Sequence, residues 1–212
     1  MKTKYTKMQS NGNDFLVSED YGIVTKTREL SDRRGNIGFD QLLYFQNGNM
    51  PKLRVYNADG SEADNCINGL RCIAFLYGLK NTYIQIKNKK FLVNITTNGA
   101  TVEGDMPIVD KIHNWFVIKF GNNHIAKFSE NIDEFDLKAE YVKAKGYKPF
   151  NKIKDFNMSI FKICGDIIKI RTYENGTGET LSCGSATLSV ACALSKELDL
   201  KKFKFSSRGG IT

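Results

Sequence analysis

The chain repeats itself, and the repeat limits its fold more than any other feature. The stretch YNADGSEADNC, residues 56–66, lines up with YENGTGETLSC, residues 173–183. Each opens on a tyrosine, reaches a glutamate six residues later and a cysteine ten residues after the tyrosine. An alternating run precedes each, KLRVY in one case and IIKIRTY in the other, which reads as a strand. An apolar run with helical spacing follows each, from about Gly69 to Leu79 and from about Ser185 to Leu198. A second correspondence lies upstream, where GNDF (12–15) and GNNH (121–124) each sit between strand-like runs. Two matched pairs in the same order predict two pseudo-symmetric α/β halves, 1–110 and 111–212.

The repeat also predicts an asymmetry. After its helix the first half continues with three strand-like runs, YIQIK, FLVNITT and TVEGDM. The second half offers only KKFKFSS before Arg208-Gly209-Gly210-Ile211-Thr212. By this symmetry the second sheet is short of about two strands.

Composition narrows the function classes. With 41% apolar and 11% aromatic residues, the chain can bury a core in each half. The net charge of +8 is spread as scattered lysines, with no dense basic run and interleaved aromatics, so a solvated basic surface is expected and no nucleic-acid partner. No apolar leader opens MKTKYTKMQSNGNDF and no run reaches membrane-spanning length, so no membrane partner is expected. The five cysteines, 66, 72, 164, 183 and 192, are odd in number and lack the spacing of a disulfide framework or a zinc knuckle. Reduced thiols in a cytoplasm, with no metal, are the expectation.

Cys66 and Cys183 each fall at the start of a helix. Unpaired backbone N–H groups and the positive end of the helix dipole favour thiolate there, lowering the pKa from about 8.5. The same N–H groups can hold a carboxylate. Two such ends across a domain cleft would grip one carboxylate and place a sulfur on each face of the adjoining carbon. That arrangement suits removal of an α-proton from one face and return of a proton to the other, with the thiols titrating as a pair. Cys72, Cys164 and Cys192, among apolar neighbours, read as small core residues.

At these residues the chain resembles the diaminopimelate epimerase family. The resemblance rests on KMQSNGNDF, GFDQLL, NADGSEADNCINGLRC, GNNH and YENGTGETLSCGS, which span residue 7 to about 192. It implies an α/β (α+β) fold of two pseudo-symmetric domains, each a curved mixed sheet or barrel wrapped around a central helix. It implies cofactor-independent epimerisation of LL-2,6-diaminopimelate to the meso form, in lysine and peptidoglycan precursor synthesis. By the same resemblance Cys66 and Cys183 are the catalytic acid and base, and His124 and Glu174 adjust the thiols. The backbone at Ile67-Asn68 and Gly184-Ser185 would hold the α-carboxylate. Asn13, Gln41, Asn57, Asn122, Asn157, Glu174 and Asn175 occupy positions of substrate contacts. The partner implied is a small amino-acid substrate, and a homodimer is admissible.

Three positions depart from the family pattern. Ile67 replaces a glycine, Asn123 a proline, and Asn175 the arginine that pairs with the substrate's distal carboxylate. Asparagine cannot supply that charged, bidentate grip. A racemase of another amino acid, such as histidine, and a shortened non-catalytic relative therefore stand beside the epimerase.

Overall fold

The computed structural model describes residues 4–153 and 155–212. The chain forms two compact units, Met1–Asp105 and Met106–Thr212.

The first unit is a seven-stranded sheet in simple sequence order, β1 to β7. Its strands are β1 (Thr6–Ser10), β2 (Asn13–Ser18), β3 (Gln41–Gln46), β4 (Lys52–Asn57), β5 (Thr82–Ile86), β6 (Lys89–Thr96) and β7 (Gly99–Glu103). The β1–β2 turn is Asn11-Gly12, both at positive φ (52° and 77°), which suits the right-handed twist of a hairpin. A short helix, α1 (Thr27–Leu30), and the turn before it cover one face, closing over Leu16, Phe39, Leu42, Tyr44 and Tyr56. Helix α2 (Ile67–Leu76) packs against β1 and β2 and also against β6 and β7. Touching strands at both edges is only achieved by a sheet that curls round the helix.

That position explains the composition of α2, whose Ile67, Leu70, Cys72, Ile73 and Ala74 are all buried. Each fully buried Leu or Ile contributes about 1.5–3 kcal/mol. The helix stops at Gly78, where φ is +62° and Leu79 N–H reaches Ala74 C=O at 2.9 Å, a closing bond that needs a residue free of Cβ strain.

The second unit contains β8 (Ile108–Ile112), β9 (Trp115–Phe120), β10 (Asn122–Phe128), α3 (Leu137–Gly146), β11 (Phe156–Cys164), β12 (Ile167–Glu174), β13 (Gly178–Thr180), α4 (Gly184–Leu198), β14 (Lys204–Ser207) and β15 (Gly210–Ile211). The sheet runs β15-β14-β12-β11-β10-β9-β8, with β13 also paired to β12. Both faces are covered. Phe116, Ile118, Ala126, Phe161, Ile168 and Ile170 pack with Val190 and Leu194 of α4. Trp115, Ile125, Phe156, Met158 and Ile160 pack on the other face with Leu137 and Tyr141 of α3. Alternate residues of one strand thus serve two cores, as the period of two requires.

The internal repeat is visible in the strand directions. From β1 to β6 the successive pairings are antiparallel, parallel, antiparallel, parallel and antiparallel. The same series runs through β9, β10, β11, β12, β14 and β15. β15, only two residues long, therefore stands in the place of β6, and no strand among the described residues stands in the place of β7. β8 instead extends this sheet at the opposite edge.

Candidate active site

In each unit the strand that ends the repeat runs through a glycine-rich turn into a helix that begins at a cysteine. Cys66 caps α2 with extended backbone (φ −155°, ψ 99°), and Cys183 caps α4 the same way (φ −130°, ψ 108°). Both turns are stapled identically. Arg54 on β4 makes two hydrogen bonds to Glu62, at 3.0 and 2.8 Å, beside the Tyr56–Glu62 bridge. Arg171 on β12 makes two to Glu179, at 2.7 and 2.9 Å, beside the Tyr173–Glu179 pair.

Around Cys66 the polar groups form a chain. The thiol lies 3.1 Å from Gln41 Oε1 and accepts from Gly69 N–H at 3.2 Å. Gln41 Nε2 donates to Asn57 Oδ1 at 2.8 Å, and Asn57 Nδ2 to Ser61 Oγ at 3.0 Å. Gln41 and Asn57 are cross-strand partners, in one row with Phe15. Gly69 lets the helix approach, since a Cβ there would meet Leu43 Cδ2 at 2.9 Å and Cys66 Sγ at 3.2 Å.

Asn13 is set by a second network. Its side chain donates to Asp40 Oδ2 at 2.9 Å, and Asp40 also binds Asp14 N–H at 3.0 Å and Arg33 at 2.7 Å. Burial works against the Asp14 carboxylate, but hydrogen bonds from Arg33 and Lys7 outweigh it and hold Asp14 well below the usual carboxylate range. Asp40 immediately precedes Gln41, so it joins the Asn13 turn to the strand facing Cys66. The GFDQLL motif contained that residue, but only a tertiary contact reveals its use.

Ile67 opens α2 and is absent from the residues at positive φ, so the β-branched side chain is accommodated without strain. Asn68 is buried and accepts from Arg71 Nη1 at 3.2 Å.

In the second unit His124 lies on β10 beside Asn157 of β11, the register place that Phe15 and Gln41 hold in the first unit. It is 1% exposed, and among the described residues neither ring nitrogen has a hydrogen-bond partner. Burial pulls its pKa down to about 4, so the ring is neutral near pH 7. Asn157 Oδ1 accepts the backbone N–H of Asn175 at 3.0 Å, and Glu174 Oε1 accepts from Thr180 at 2.6 Å. Cys183 Sγ lies 3.3 Å from Ser185 Oγ, with Gly184 beginning α4. Asn122 begins β10, and its side chain makes no hydrogen bond among the described residues. Asn123 Nδ2 reaches Asp155 C=O at 3.4 Å.

The departure at 175 has a setting that sequence reasoning did not reach. Asn175 Oδ1 accepts from Tyr141 at 2.7 Å and from Lys145 at 3.1 Å, both on α3. No local signal links those positions, which lie some thirty residues apart.

None of the five cysteines forms a disulfide among the described residues. Burial pushes the Cys72 thiol up to about 12 and raises that of Cys192, as inert core positions require. Cys164, expected in the core, is only half buried at the end of β11. Among the described residues no cluster of three or more His, Cys, Asp or Glu could hold a metal, and no helix is long and apolar enough to cross a membrane.

No family model matches the chain. The diaminopimelate epimerase of Wigglesworthia glossinidia brevipalpis is 33% identical over 232 residues, covering 86% of this chain and 80% of that one. The diaminopimelate epimerase of Buchnera aphidicola subsp. Baizongia pistaciae is 29% identical over 253 residues, covering 100% and 87%. Among solved structures, a probable proline racemase from Agrobacterium radiobacter K84 superposes with a TM-score of 0.67 at 10% identity, covering 99% of this chain and 82% of that one. A phenazine biosynthesis protein of the PhzF family from Enterococcus faecalis gives 0.66 at 12% identity, covering 93% and 81%. At such identities the two structures speak for a shared two-domain fold alone.

Proposed function

The chain belongs to the diaminopimelate epimerase family, and on that footing we propose that it interconverts LL- and meso-2,6-diaminopimelate by a two-thiol mechanism without a cofactor. It is an isomerase of the epimerase and racemase kind. The observation that carries the finer reading is the matched pair of cysteine caps. Two helices in pseudo-symmetric units each begin at a cysteine held in extended backbone, with hydrogen-bonding side chains at the same register places.

The α-carboxylate is held by backbone N–H groups at Ile67-Asn68 and Gly184-Ser185, where each helix dipole adds to the attraction. One cysteine, as thiolate, takes the α-proton and becomes a thiol. The other, as thiol, gives its proton to the opposite face and becomes the thiolate. Atoms and charge balance, and the two roles are exchanged for the return reaction. Positive potential from the helix starts stabilises the carbanion, and it is worth most where water is excluded.

Gln41 supports this assignment because its amide oxygen faces the Cys66 thiol while its amide nitrogen is fixed by Asn57. Neutral His124 and Glu174 adjust the thiols, and Asn13, Asn57, Asn122 and Asn157 line the substrate. The reaction serves the supply of lysine and peptidoglycan precursors in the cytoplasm.

The test is deuterium uptake. Protein under reductant in D₂O, given LL-diaminopimelate, should deuterate the α-carbon and form the meso isomer, and Cys66→Ala and Cys183→Ala should each lose this. Isomerisation that survived either substitution would rule out the two-thiol assignment. If LL-diaminopimelate is inert while another amino acid, histidine among them, is deuterated, the substrate assignment is wrong and the chemistry stands.

A further inference from the structure

We propose that Lys145, acting with the side-chain amide of Asn175, receives the distal carboxylate of the substrate. The inference rests on the reading of the substrate as diaminopimelate, which carries a second amino-acid group at its far end.

The α-carboxylate is accounted for by helix N-termini, which leaves the far end in need of a cation. The loop that carries Glu174 and Asn175 is tied to the candidate binding residue Asn157 by the Asn175 N–H bond of 3.0 Å. An arginine at 175 would have provided the charge, and asparagine does not. The structure instead brings an ammonium to the same residue from α3, with Lys145 Nζ 3.1 Å from Asn175 Oδ1.

Three other cations of this unit are engaged by acids among the described residues. Arg171 is locked in its two bonds to Glu179 and donates to the carbonyls of Ile132 and Phe135 at 2.6 and 3.0 Å. Arg208 lies 3.1 Å from Glu179. Lys127 is paired with Glu140, its side chain only 15% exposed. Lys145 differs from all of these. Its acid partner among the described residues is Asp155, 3.5 Å away and 75% exposed, a long pair in water that a ligand can displace at little cost.

The geometry around Asn175 supports a shared grip. An ammonium can only donate, so the amide oxygen must face Lys145, and Tyr141 O–H fixes it there. The amide nitrogen is therefore turned away from α3, and among the described residues it has no hydrogen-bond partner. One amide N–H₂ and one ammonium side by side can offer a carboxylate two donors and a charge, the features of an arginine fork split between two residues. Asp155 beside Lys145 also suits a distal group that carries both an ammonium and a carboxylate.

The experiment compares the wild type with Lys145→Met, Lys145→Arg and the double variant Lys145→Met/Asn175→Arg, each followed by conversion of LL-diaminopimelate. Loss of a charged contact to a carboxylate should raise KM about 10- to 100-fold with kcat changed far less. Lys145→Arg should stay within a few-fold of wild type, and Asn175→Arg should restore KM in the Met background. A Lys145→Met enzyme with KM within twofold of wild type would overturn the proposal, as would a loss confined to kcat that Asn175→Arg fails to rescue. Wild-type protein that does not deuterate LL-diaminopimelate overturns the substrate reading and this proposal with it. Wild-type turnover with an indifferent Lys145→Met overturns the proposal alone.

Discussion

Arg171 and Glu179 repeat, bond for bond, the pairing that Arg54 and Glu62 make in the first unit. Each staple closes a turn that leads to a cysteine-capped helix, so the position of the thiol depends on it. The two are not equal, because Arg171 is 10% exposed and also holds backbone carbonyls between Ile132 and Phe135, whereas Arg54 is 39% exposed.

Arg171→Met is therefore expected to destabilise the protein by about 2–4 kcal/mol, and Arg54→Met by about 1 kcal/mol. Urea unfolding of the two variants measures the difference, and equal losses would contradict it. The hydrogen bonds from Arg171 hold the Glu179 carboxyl below its ordinary value. The stability this adds is present above about pH 4.5 and is lost as pH falls through the lower, folded-state value. Glu179→Gln should flatten that acid limb.

His124 makes a prediction of opposite sense for a base. Its folded pKa of about 4 lies below that of an unfolded histidine, because burial disfavours the charged ring. As pH falls from about 6.5 towards 4, the unfolded chain takes a proton that the folded chain refuses, at a cost on the order of 3 kcal/mol. His124→Phe, which copies the register place of Phe15, should fold and lose this dependence while α-proton exchange drops. NMR titration of the ring should show no protonation down to about pH 5, and protonation near 6.5 would be decisive against the buried, neutral form.

The chain from Cys66 through Gln41 to Asn57 should behave as one unit. Gln41→Leu removes the oxygen facing the thiol, and Asn57→Leu frees the Gln41 amide to turn. Each should cut exchange about 2- to 10-fold, and the double variant should fall well short of the product. Additive losses would mean that the two residues act separately.

Two glycines provide a contrast in packing. Gly69→Ala places a methyl 2.9 Å from Leu43, which is fully buried and cannot yield cheaply, and 3.2 Å from the Cys66 sulfur. A loss of about 1–3 kcal/mol and of activity is expected. Gly146→Ala, at the end of α3 with nothing within 4 Å of the new methyl, should gain about 0.4–1 kcal/mol. Thermal denaturation of both variants decides, and the same sign of shift in each would defeat the packing argument.

The sequence by itself determined the two-fold repeat, the strand–turn–helix order within each half, and the placement of Cys66 and Cys183 at helix starts. These are local properties: alternation, helical spacing and glycine turns are written within about ten residues of one another. The expected shortfall of about two strands was met only in part, since β15 takes the place of β6 and β7 alone has no counterpart among the described residues, while β8, paired with its hairpin neighbour β9 at the opposite edge, went unread. Tertiary structure alone decided which polar groups meet. Asp40 reaches Asn13 across a parallel strand pair, Arg171 reaches the carbonyls before α3, and Lys145 arrives beside Asn175 from a helix inserted between β10 and β11. Such meetings depend on register and on crossover connections, which align residues tens of positions apart, and no local pattern carries that information.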